Sequence, residues 1–370
     1  MHIPLVDLHA NYLRVRSEID AAIAAVIEQS SFIMGPYVKA FEEAFSKACG
    51  VPYAIGCSNG TSAVFLALDA CGVKPGDEVI LPTNTFIATS ESVTRLGATP
   101  IFVDIDPATH TLSVKAARDA ISPNTTAIIP VHIYGGMADM KGIMALAEEH
   151  NLRVVEDTAQ AHFATLDGKG PGQWGDAATF SFFPAKVLGA FGDAGAVIVR
   201  DDKMARRVSM QRNHGRLDKY LHEFEGANER MDGLQAAILS VKLKHLTEWI
   251  DERRAVAARY DTALADLVKK GILTIPQALP GVRHVYYMYV IETERRDDLM
   301  AHLKNADIEC GIHYPVPLHL QPAYAYLGYK ERDFPNAETA AKRILSIPMY
   351  PELSAEQQDY IVGKIKEFFK

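Results

Sequence analysis

The stretch AIIPVHIYGGMADMKGIMALAEEHNLRVVED, residues 127–157, decides the fold class. Its two ends, 127–132 and 152–157, are short runs rich in β-branched residues, which indicate buried strands. Between them, residues 137–150 repeat apolar side chains at helical spacing. A strand, a helix and a second strand in this order predict two parallel strands joined by a crossover helix that covers the sheet.

The same alternation extends from about residue 51 to residue 200. Further strands are predicted at 78–82, 100–105, 178–183 and 196–200, with amphipathic helices between several of them. This pattern predicts an α/β fold, in which a mostly parallel sheet is sandwiched by helices. Ligands of such sheets bind beyond the carboxyl ends of the strands, so functional side chains are expected at those positions.

A long periodic helix is predicted to begin at Met231 and to bridge to a second domain. In that domain the pattern predicts a strand near 284–292 and helices at 296–306 and 355–369. We therefore expect a large α/β domain, residues 1–248, and a smaller C-terminal α+β domain, residues 249–370. An N-terminal helix is expected to pack on one of the two.

Composition narrows the class of protein. The 370 residues are 48% hydrophobic and 23% charged, with a net charge of -8 and no basic block. Binding to nucleic acid or to a membrane surface is therefore not expected. The four cysteines are dispersed and lack metal-ligand spacing, so no metal site is predicted. Without a secretory signal or an apolar stretch of membrane-spanning length, the predicted location is the cytoplasm.

The sequence GCSNGTSAVFLAL, residues 56–68, places Gly60 and Thr61 directly before a helix. Glycine allows close backbone approach, and the free N–H groups at a helix start favour a phosphate. The alternative is a plain helix cap with a turn glycine. No Gly-Lys-Ser/Thr follows at P-loop spacing, and no GxGxxG opens a strand–helix unit. A nucleoside-triphosphate or a nicotinamide site is thus disfavoured.

Three polar or aromatic side chains follow predicted strands. Asp157 ends the strand at 152–157, where a carboxylate can hold a ring nitrogen protonated, and Gln160 lies three residues on. Phe86 follows the strand at 78–82 and can stack on a planar ring. The alternatives are a loop-capping aspartate and a phenylalanine in the core.

The sequence FSFFPAKVLGAFGDAGAV, residues 180–197, contains a lysine between apolar runs. Pro184 breaks the strand after Ser181, so Lys186 is expected on a turn with apolar neighbours. Desolvation lowers the pKa of a lysine, as a Schiff-base amine requires. The alternative is a solvated turn lysine. Asn228 precedes the long helix and is a candidate ligand or a helix cap.

A phosphate cradle, a carboxylate for a ring nitrogen, a stacking aromatic and a Schiff-base lysine together indicate a pyridoxal phosphate site. Their conjunction is more specific than any member alone.

Several stretches in order resemble the DegT/DnrJ/EryC1/StrS family of sugar aminotransferases, which are fold-type-I pyridoxal phosphate enzymes. They are GPYVKAFEEAFSKACGVPYAIGCSNGTSAVFLAL, VVEDTAQAH, FSFFPAKVLGAFGDAGAV, NERMDGLQAAIL and HYPVPLH, beginning at residues 35, 154, 180, 228 and 313. The resemblance covers nearly the whole chain.

The resemblance implies a role for each matching position. Lys186 forms the Schiff base, Asp157 pairs with the pyridine nitrogen and Gln160 contacts the ring hydroxyl. The phosphate is held by Gly60, Thr61 and Ser181, the ring is stacked by Phe86, and the sugar site is lined by Tyr314 and His319. Asn228 is expected to reach the phosphate of the neighbouring subunit, which implies a homodimer with active sites at the interface.

The resemblance also implies a reaction, the transfer of an amino group from L-glutamate to a nucleotide-linked keto sugar. The product would be an amino sugar for a surface polysaccharide, a glycan or an antibiotic. A dehydratase branch of the family carries His where this chain keeps Lys186, so amino transfer is favoured. The sequence LGAFGDAGA, residues 188–196, is similar to members that act on 3-keto sugars. The alternatives are a pyridoxal-dependent sugar dehydratase and a non-catalytic regulatory protein on the same scaffold.

Overall fold

A seven-stranded sheet lies at the centre of the larger part of the chain, in a computed structural model that describes residues 1–370. The strands are β1 (Tyr53–Cys57), β2 (Glu78–Pro82), β3 (Thr99–Val103), β4 (Thr125–Ile128), β5 (Arg153–Asp157), β6 (Thr165–Leu166), β7 (Ala177–Ser181), β8 (Gly195–Val199), β9 (Val282–Arg283), β10 (Tyr289–Glu292) and β11 (Ile344–Ile347). The order in the central sheet is β1-β8-β7-β5-β4-β2-β3. Strand β8 runs antiparallel to both of its neighbours, β1 and β7, and all other pairs in this sheet are parallel.

Twelve α-helices surround the strands. They are α1 (Leu8–Arg14), α2 (Arg16–Glu28), α3 (Gly35–Cys49), α4 (Gly60–Ala70), α5 (Ala88–Arg95), α6 (Val114–Asp119), α7 (Met140–His150), α8 (Asp202–Gln211), α9 (Gly233–Lys269), α10 (Arg296–Asn305), α11 (Pro335–Arg343) and α12 (Ala355–Phe368). Short 3-10 turns occur at Ile133–Gly135, Leu318–Leu320 and Pro322–Leu327.

Both faces of the central sheet are buried, because successive side chains of a strand point to opposite sides. Ile80 of β2 and Val154 of β5 belong to the core under α3, α7 and the first half of α9. Their neighbours Val79 and Val155 belong to the core under α4 and α8. Burial on both sides explains the continuous apolar runs and confirms the predicted α/β sandwich.

The predicted strand bounds are close to those observed. The strand at 78–82 is β2, whereas the run at 127–132 forms a regular strand only up to Ile128, as the end of β4. Pro130 has no N–H to donate and interrupts the ladder, and only an isolated bridge between Val131 and Asp157 follows. The run at 284–292 forms a strand only from Tyr289, as β10. Strand β1 was not predicted. Its sequence YAIGC contains Gly56, where a Cβ would lie 2.8 Å from the sulfur of Met231.

A second layer of structure lies around β10 and β11, which pair antiparallel. Helices α10 and α12 and the second half of α9 supply its core. The 37 residues of α9 correspond to a length of about 55 Å, and the predicted boundary at 248/249 falls inside this helix. Leu318 and Tyr324, beyond the boundary, belong to the core beside α4. The two-domain division stays a prediction.

The N-terminal helices contact both parts of the chain. Ile19 of α2 packs with Trp249 of α9, while Ile3 pairs with Ile308 in the smaller part. No helix combines the length and the apolar character that crossing a membrane requires. The four cysteines are free thiols. The predicted cytoplasmic location stays a prediction.

Candidate active site

Lys186 lies in the loop between β7 and β8, at the carboxyl end of β7. Strand β7 ends at Ser181, and Pro184 follows in the loop. The amide of Lys186 donates to the carbonyl of Phe183 at 2.8 Å. Gly189 folds back so closely that a Cβ there would lie 2.1 Å from the carbonyl oxygen of Pro184. The loop is also held from α9, where Lys242 Nζ donates to the carbonyl of Gly189 at 2.7 Å. The lysine therefore has a fixed backbone.

The amine of Lys186 sits in an apolar environment, with Nζ 4.5 Å from the ring centre of Tyr287. Burial lowers the pKa of Lys186 from 10.5 to about 8, although the charge of Asp157 acts in the opposite direction. Burial, and then the charge of Lys186, lower the pKa of His162 to about 3 and that of His313 to about 4. Near neutral pH a useful fraction of the lysine is thus the uncharged, nucleophilic amine.

Asp157 ends β5 and is 6% exposed. Its Oδ2 accepts a hydrogen bond from Thr89 Oγ1 at 2.8 Å, and its Oδ1 accepts one from the amide of Ala159 at 3.1 Å. The hydroxyl of Thr85 lies 3.0 Å from that of Thr89. These contacts fix the plane of the carboxylate, so it can receive the N–H of a protonated ring nitrogen in one orientation.

Gly60 and Thr61 begin α4, whose N-cap Asn59 accepts from the amide of Ser62 at 2.8 Å. The amides of Gly60 and Thr61 have no acceptor within the protein. A Cβ on Gly60 would lie 2.6 Å from Cβ of Ser181, which is at the end of β7. The three residues predicted to hold a phosphate therefore lie together, around free amides at a helix start.

Gln160, Phe86 and Tyr314 meet in one cluster. The side-chain oxygen of Gln160 accepts from the amide of Tyr134 at 2.7 Å, and its nitrogen is 3.3 Å from the hydroxyl of Tyr314. The rings of Phe86 and Tyr314 have their centres 5.8 Å apart. Phe86 is 54% exposed, so it is not a core residue and remains available to a planar ligand.

His319 and Asn228 make no hydrogen bonds with the other predicted site residues. His319 is 2% exposed, and both ring nitrogens have partners within the chain, so in this conformation it has no free nitrogen for a substrate. Asn228 is exposed, its backbone pairs with Asn213, and its side chain makes no hydrogen bond within the chain. It is available to a second copy.

Sequence reasoning missed three residues of this cluster, Thr89, Tyr134 and Tyr287. Each acts through a tertiary contact, with Asp157, Gln160 and Lys186 respectively. A local signal existed only for Thr89, which lies one helical turn after Thr85 in PTNTFIATS. No group of His, Cys, Asp and Glu is arranged to hold a metal ion.

A sequence model of the DegT/DnrJ/EryC1/StrS aminotransferase family matches residues 14–366, nearly the whole chain. The chain belongs to this family.

Among curated relatives, a protein of Geobacillus stearothermophilus named pleiotropic regulatory protein is 47% identical over 100% of this chain and 99% of its own. The dTDP-3-amino-3,4,6-trideoxy-alpha-D-glucose transaminase of Streptomyces venezuelae is 42% identical, over 99% and 96%. The UDP-N-acetyl-3-dehydro-alpha-D-glucosamine 3-aminotransferase of Acidithiobacillus ferrooxidans is 44% identical, over 96% and 95%.

Solved structures of this aminotransferase family have the same fold. DesV of S. venezuelae, in complex with a ketimine intermediate, has a TM-score of 0.96 at 41% identity, over 99% of this chain and 98% of its own. NtdA of Bacillus subtilis with bound cofactor PMP has a TM-score of 0.91 at 32% identity, over 99% and 85%. The predicted family, fold and enzyme class are confirmed.

The residues of this aminotransferase fit pyridoxal phosphate, the cofactor of the family. The cradle of Gly60, Thr61 and Ser181 leaves no room for a Cβ and offers two unpaired amides to a phosphate. Lys186 supplies an amine with a lowered pKa, and Asp157 supplies a fixed carboxylate. Together these groups match the phosphate, the aldehyde and the ring nitrogen of the cofactor.

Proposed function

We propose that this aminotransferase moves the amino group of L-glutamate to a nucleotide-linked 3-keto sugar, in the biosynthesis of an amino sugar. The observation that carries the proposal is the buried amine of Lys186, with its lowered pKa, in a site that also holds Asp157 and the phosphate cradle. Two relatives are named for amino transfer at position 3 of a nucleotide sugar, at 42% and 44% identity.

Pyridoxal phosphate, when bound, supplies an electron-withdrawing ring that stabilises negative charge beside the transferred nitrogen. The chain supplies the remainder. The amine of Lys186 would hold the cofactor and, when free, would take a proton from the substrate carbon and give it back within the same site. Asp157 holds the ring nitrogen protonated, while Phe86 and Tyr314 shield one side of the site from water.

The 3-keto assignment is supported by the loop that follows Lys186. Gly189 and Gly195 approach Pro184 and Asn59 so closely that a Cβ would lie 2.1 Å and 2.3 Å from their carbonyl oxygens. The sequence LGAFGDAGA therefore determines a compact loop that longer side chains at these glycines would change. We propose that the shape of this loop beside the reacting amine contributes to selection of the sugar.

We infer a homodimer with its active sites at the subunit interface. Asn228 is exposed, and Glu229 beside it is buried against Ser58 and Ser62 at the start of α4, with Oγ–Oε2 distances of 2.7 and 2.5 Å. The backbone of residues 228–229 is thus fixed, and the side-chain amide of Asn228 has no hydrogen-bond partner within the chain. Large apolar side chains are exposed nearby in sequence and elsewhere, including Phe32, Ile33, Phe183, Phe191, Leu217 and Leu221. Such surfaces favour association.

Mixed dimers test shared sites. Lys186→Ala and Asn228→Asp variants should each be inactive or weakened, because one lacks the amine and the other repels the partner's phosphate. After the two are unfolded and refolded together, a mixed dimer keeps one intact site, so activity should return to about a quarter of wild type. A second mixture, of Lys186→Ala with Lys186→Met, is the control. No recovery in the first mixture would contradict a shared site.

A regulatory role is the second candidate, because the relative at 47% identity is named a pleiotropic regulatory protein. That protein's name describes an effect and not a chemistry, and in this chain the complete set of cofactor groups favours catalysis. The dehydratase alternative is disfavoured by Lys186. We further propose that residues 1–248 form the cofactor domain and residues 249–370 the smaller domain.

The direct experiment follows the cofactor by absorbance. Purified enzyme should bind pyridoxal phosphate with a visible band that L-glutamate bleaches and a 3-keto dTDP or UDP sugar restores. Borohydride should fix the cofactor on Lys186, and Lys186→Ala should lose turnover. The matching 4-keto sugars are the control for position. Bleaching by glutamate without recovery by any keto sugar would contradict the substrate class but not the aminotransferase class.

A further inference from the structure

A buried chain of hydrogen bonds joins the central sheet to the segment that carries Tyr314. His319 Nδ1 is 2.8 Å from Thr83 Oγ1, directly after β2, and His319 Nε2 is 3.1 Å from Glu338 Oε1 on α11. The three side chains are 0–6% exposed as residues, so water does not compete for these bonds. We call Thr83, His319 and Glu338 the clamp.

The hydrogen bonds of the clamp define the state of the imidazole. Glu338 accepts from the amide of Arg332 as well, so it acts as the acceptor and Nε2 of His319 carries the proton. Nδ1 then accepts from the hydroxyl of Thr83, whose oxygen accepts from the amide of His319 at 3.2 Å. A neutral imidazole satisfies every polar atom, and none is left for a substrate.

Both ends of the clamp are fastened to the central sheet. The amide of Thr83 donates to the carbonyl of Val103 at 3.0 Å. On the other side, Asp104 accepts from the amides of Asn336 and Ala337, at 3.0 and 2.9 Å, and so anchors the start of α11. His319 is therefore held between the ends of β2 and β3, which are themselves part of the buried sheet.

The clamp fixes one end of a wall, which we define as residues 313–319. The amide of Leu318 donates to the carbonyl of Thr83 at 2.9 Å. At the other end, Tyr134 donates its hydroxyl to the carbonyl of His313 at 2.5 Å. Between these ends lie Tyr314, opposite Phe86, and Val316, which is 40% exposed. Through Tyr314, the wall contacts both Gln160 and Phe86 of the site.

We propose that the clamp positions this wall against the sugar, so that His319 is a positioning residue and not a substrate ligand. The proposal rests on the proposed function, which places a keto sugar in this site. Lys186 lies in the β7–β8 loop, Asp157 on β5, and the phosphate cradle on α4 and the end of β7. None of these residues makes a hydrogen bond with the clamp side chains. Loss of the clamp should therefore weaken the sugar half-reaction and spare the glutamate half-reaction.

Thr83→Val tests this directly, since it removes the hydroxyl with little change of volume. Thr83→Ser, which keeps the hydroxyl, is the matched rescue. Tyr324→Phe is the control, because it removes a hydroxyl 2.6 Å from Ser90 Oγ in the same part of the chain but outside the wall. His319→Asn breaks the clamp independently if the valine variant should fold poorly.

Two readouts are needed. Hydrogen exchange of residues 313–319 should become faster in Thr83→Val and His319→Asn, and stay at the wild-type rate in Thr83→Ser and Tyr324→Phe. In single-turnover half-reactions, the keto-sugar concentration that gives the half-maximal rate should rise about five-fold in Thr83→Val, the effect of one lost hydrogen bond. The glutamate half-reaction should be unchanged.

Unchanged exchange in both clamp variants, or equal losses in the two half-reactions, would overturn the proposal. A loss of kcat without any change in exchange would instead make His319 a catalytic group. Should no keto sugar react with the wild-type enzyme, the proposed substrate class fails. The exchange measurement still decides whether the clamp holds the wall.

Discussion

Among single side chains, Lys186 depends most on its surroundings, because it reacts only as the free amine. Burial lowers its pKa from 10.5 to about 8. The charged form is therefore lost at a pH about 2.5 lower than in an exposed lysine, so a larger fraction of the amine is free to accept a proton near neutral pH.

The first prediction concerns the pH dependence of cofactor attachment to the apoenzyme. Below pH 8 the free-amine fraction of Lys186 grows about tenfold per pH unit, so the rate should rise with pH and become constant above about 8. Stopped-flow absorbance measures this rate. Nα-acetyl-lysine, with an ordinary pKa, is the control, and its rate should continue to rise towards pH 10. A plateau for the enzyme only near pH 10 would contradict the buried amine.

The second prediction concerns the phosphate cradle. Gly60→Ala places a methyl 2.6 Å from Cβ of Ser181, a contact that forces the two residues apart. The dissociation constant of the cofactor should rise at least about tenfold, as expected when charged hydrogen bonds to a phosphate are misplaced. Gly363→Ala in α12 is the matched control, because a Cβ there meets nothing within 4 Å. Equal affinity in both variants would exclude Gly60 from the cradle.

The strands and helices show which parts of the fold and of the site local sequence patterns predict. The strands of the sheet are apolar on both faces, so their existence and order along the chain follow from local pattern. Asp157 and Lys186 could be predicted because each directly follows such a run. Tyr134 and Tyr287 could not, because they meet their partners only after the 133–135 turn and residues 284–288 have packed onto the sheet. For Thr89 the sequence offered only its spacing from Thr85, and its partner Asp157 is reached through the packing of α5.

Strand β1 was not predicted, because it too depends on contacts between residues that are distant in sequence. Its neighbour on α3, Glu42, accepts from the amide of Gly56 at 2.8 Å and from Arg212 Nη1 at 2.5 Å. Arg212 also donates to the carbonyl of Gly56 and is 5% exposed. The strand is thus stabilised by a largely buried ion pair between α3 and the residue that follows α8, and no local pattern reveals this contact.

The third prediction follows from that ion pair. Glu42→Gln leaves Arg212 buried without its counter-charge and should lower the free energy of unfolding by about 2–4 kcal/mol. Glu43→Gln is the matched control, since Glu43 is exposed and lies 3.9 Å from Lys39, a pair worth less than about 0.5 kcal/mol. Urea unfolding measures both. Equal effects of the two substitutions would contradict a structural role for the Glu42–Arg212 pair.

Over the chain as a whole, the two predicted domains share their cores. Helix α9 passes through the boundary without a break, and Leu318 and Tyr324 return to the core beside α4. A division that is useful for describing the cofactor site therefore need not correspond to two independently folding units.

The fourth prediction is a single unfolding transition. The chain has two tryptophans, Trp174 in the loop before β7 and Trp249 at the middle of α9. In Trp174→Phe and Trp249→Phe variants, the remaining indole should report the same urea midpoint as the far-UV circular dichroism of the same variant. The protein concentration is held constant, because association shifts midpoints. A variant whose indole and circular dichroism have separate midpoints would show that the parts unfold independently.

The antiparallel pairing of β8 with β7 has a practical consequence for enzyme engineering. Ser181 pairs with Gly195, so residues 182–194 form a loop that begins at the end of β7 and returns at the start of the neighbouring strand β8. This loop contains the reactive lysine and the glycines that directly follow it. It can therefore be exchanged as one cassette with that of a relative of different sugar preference, without re-registering the sheet.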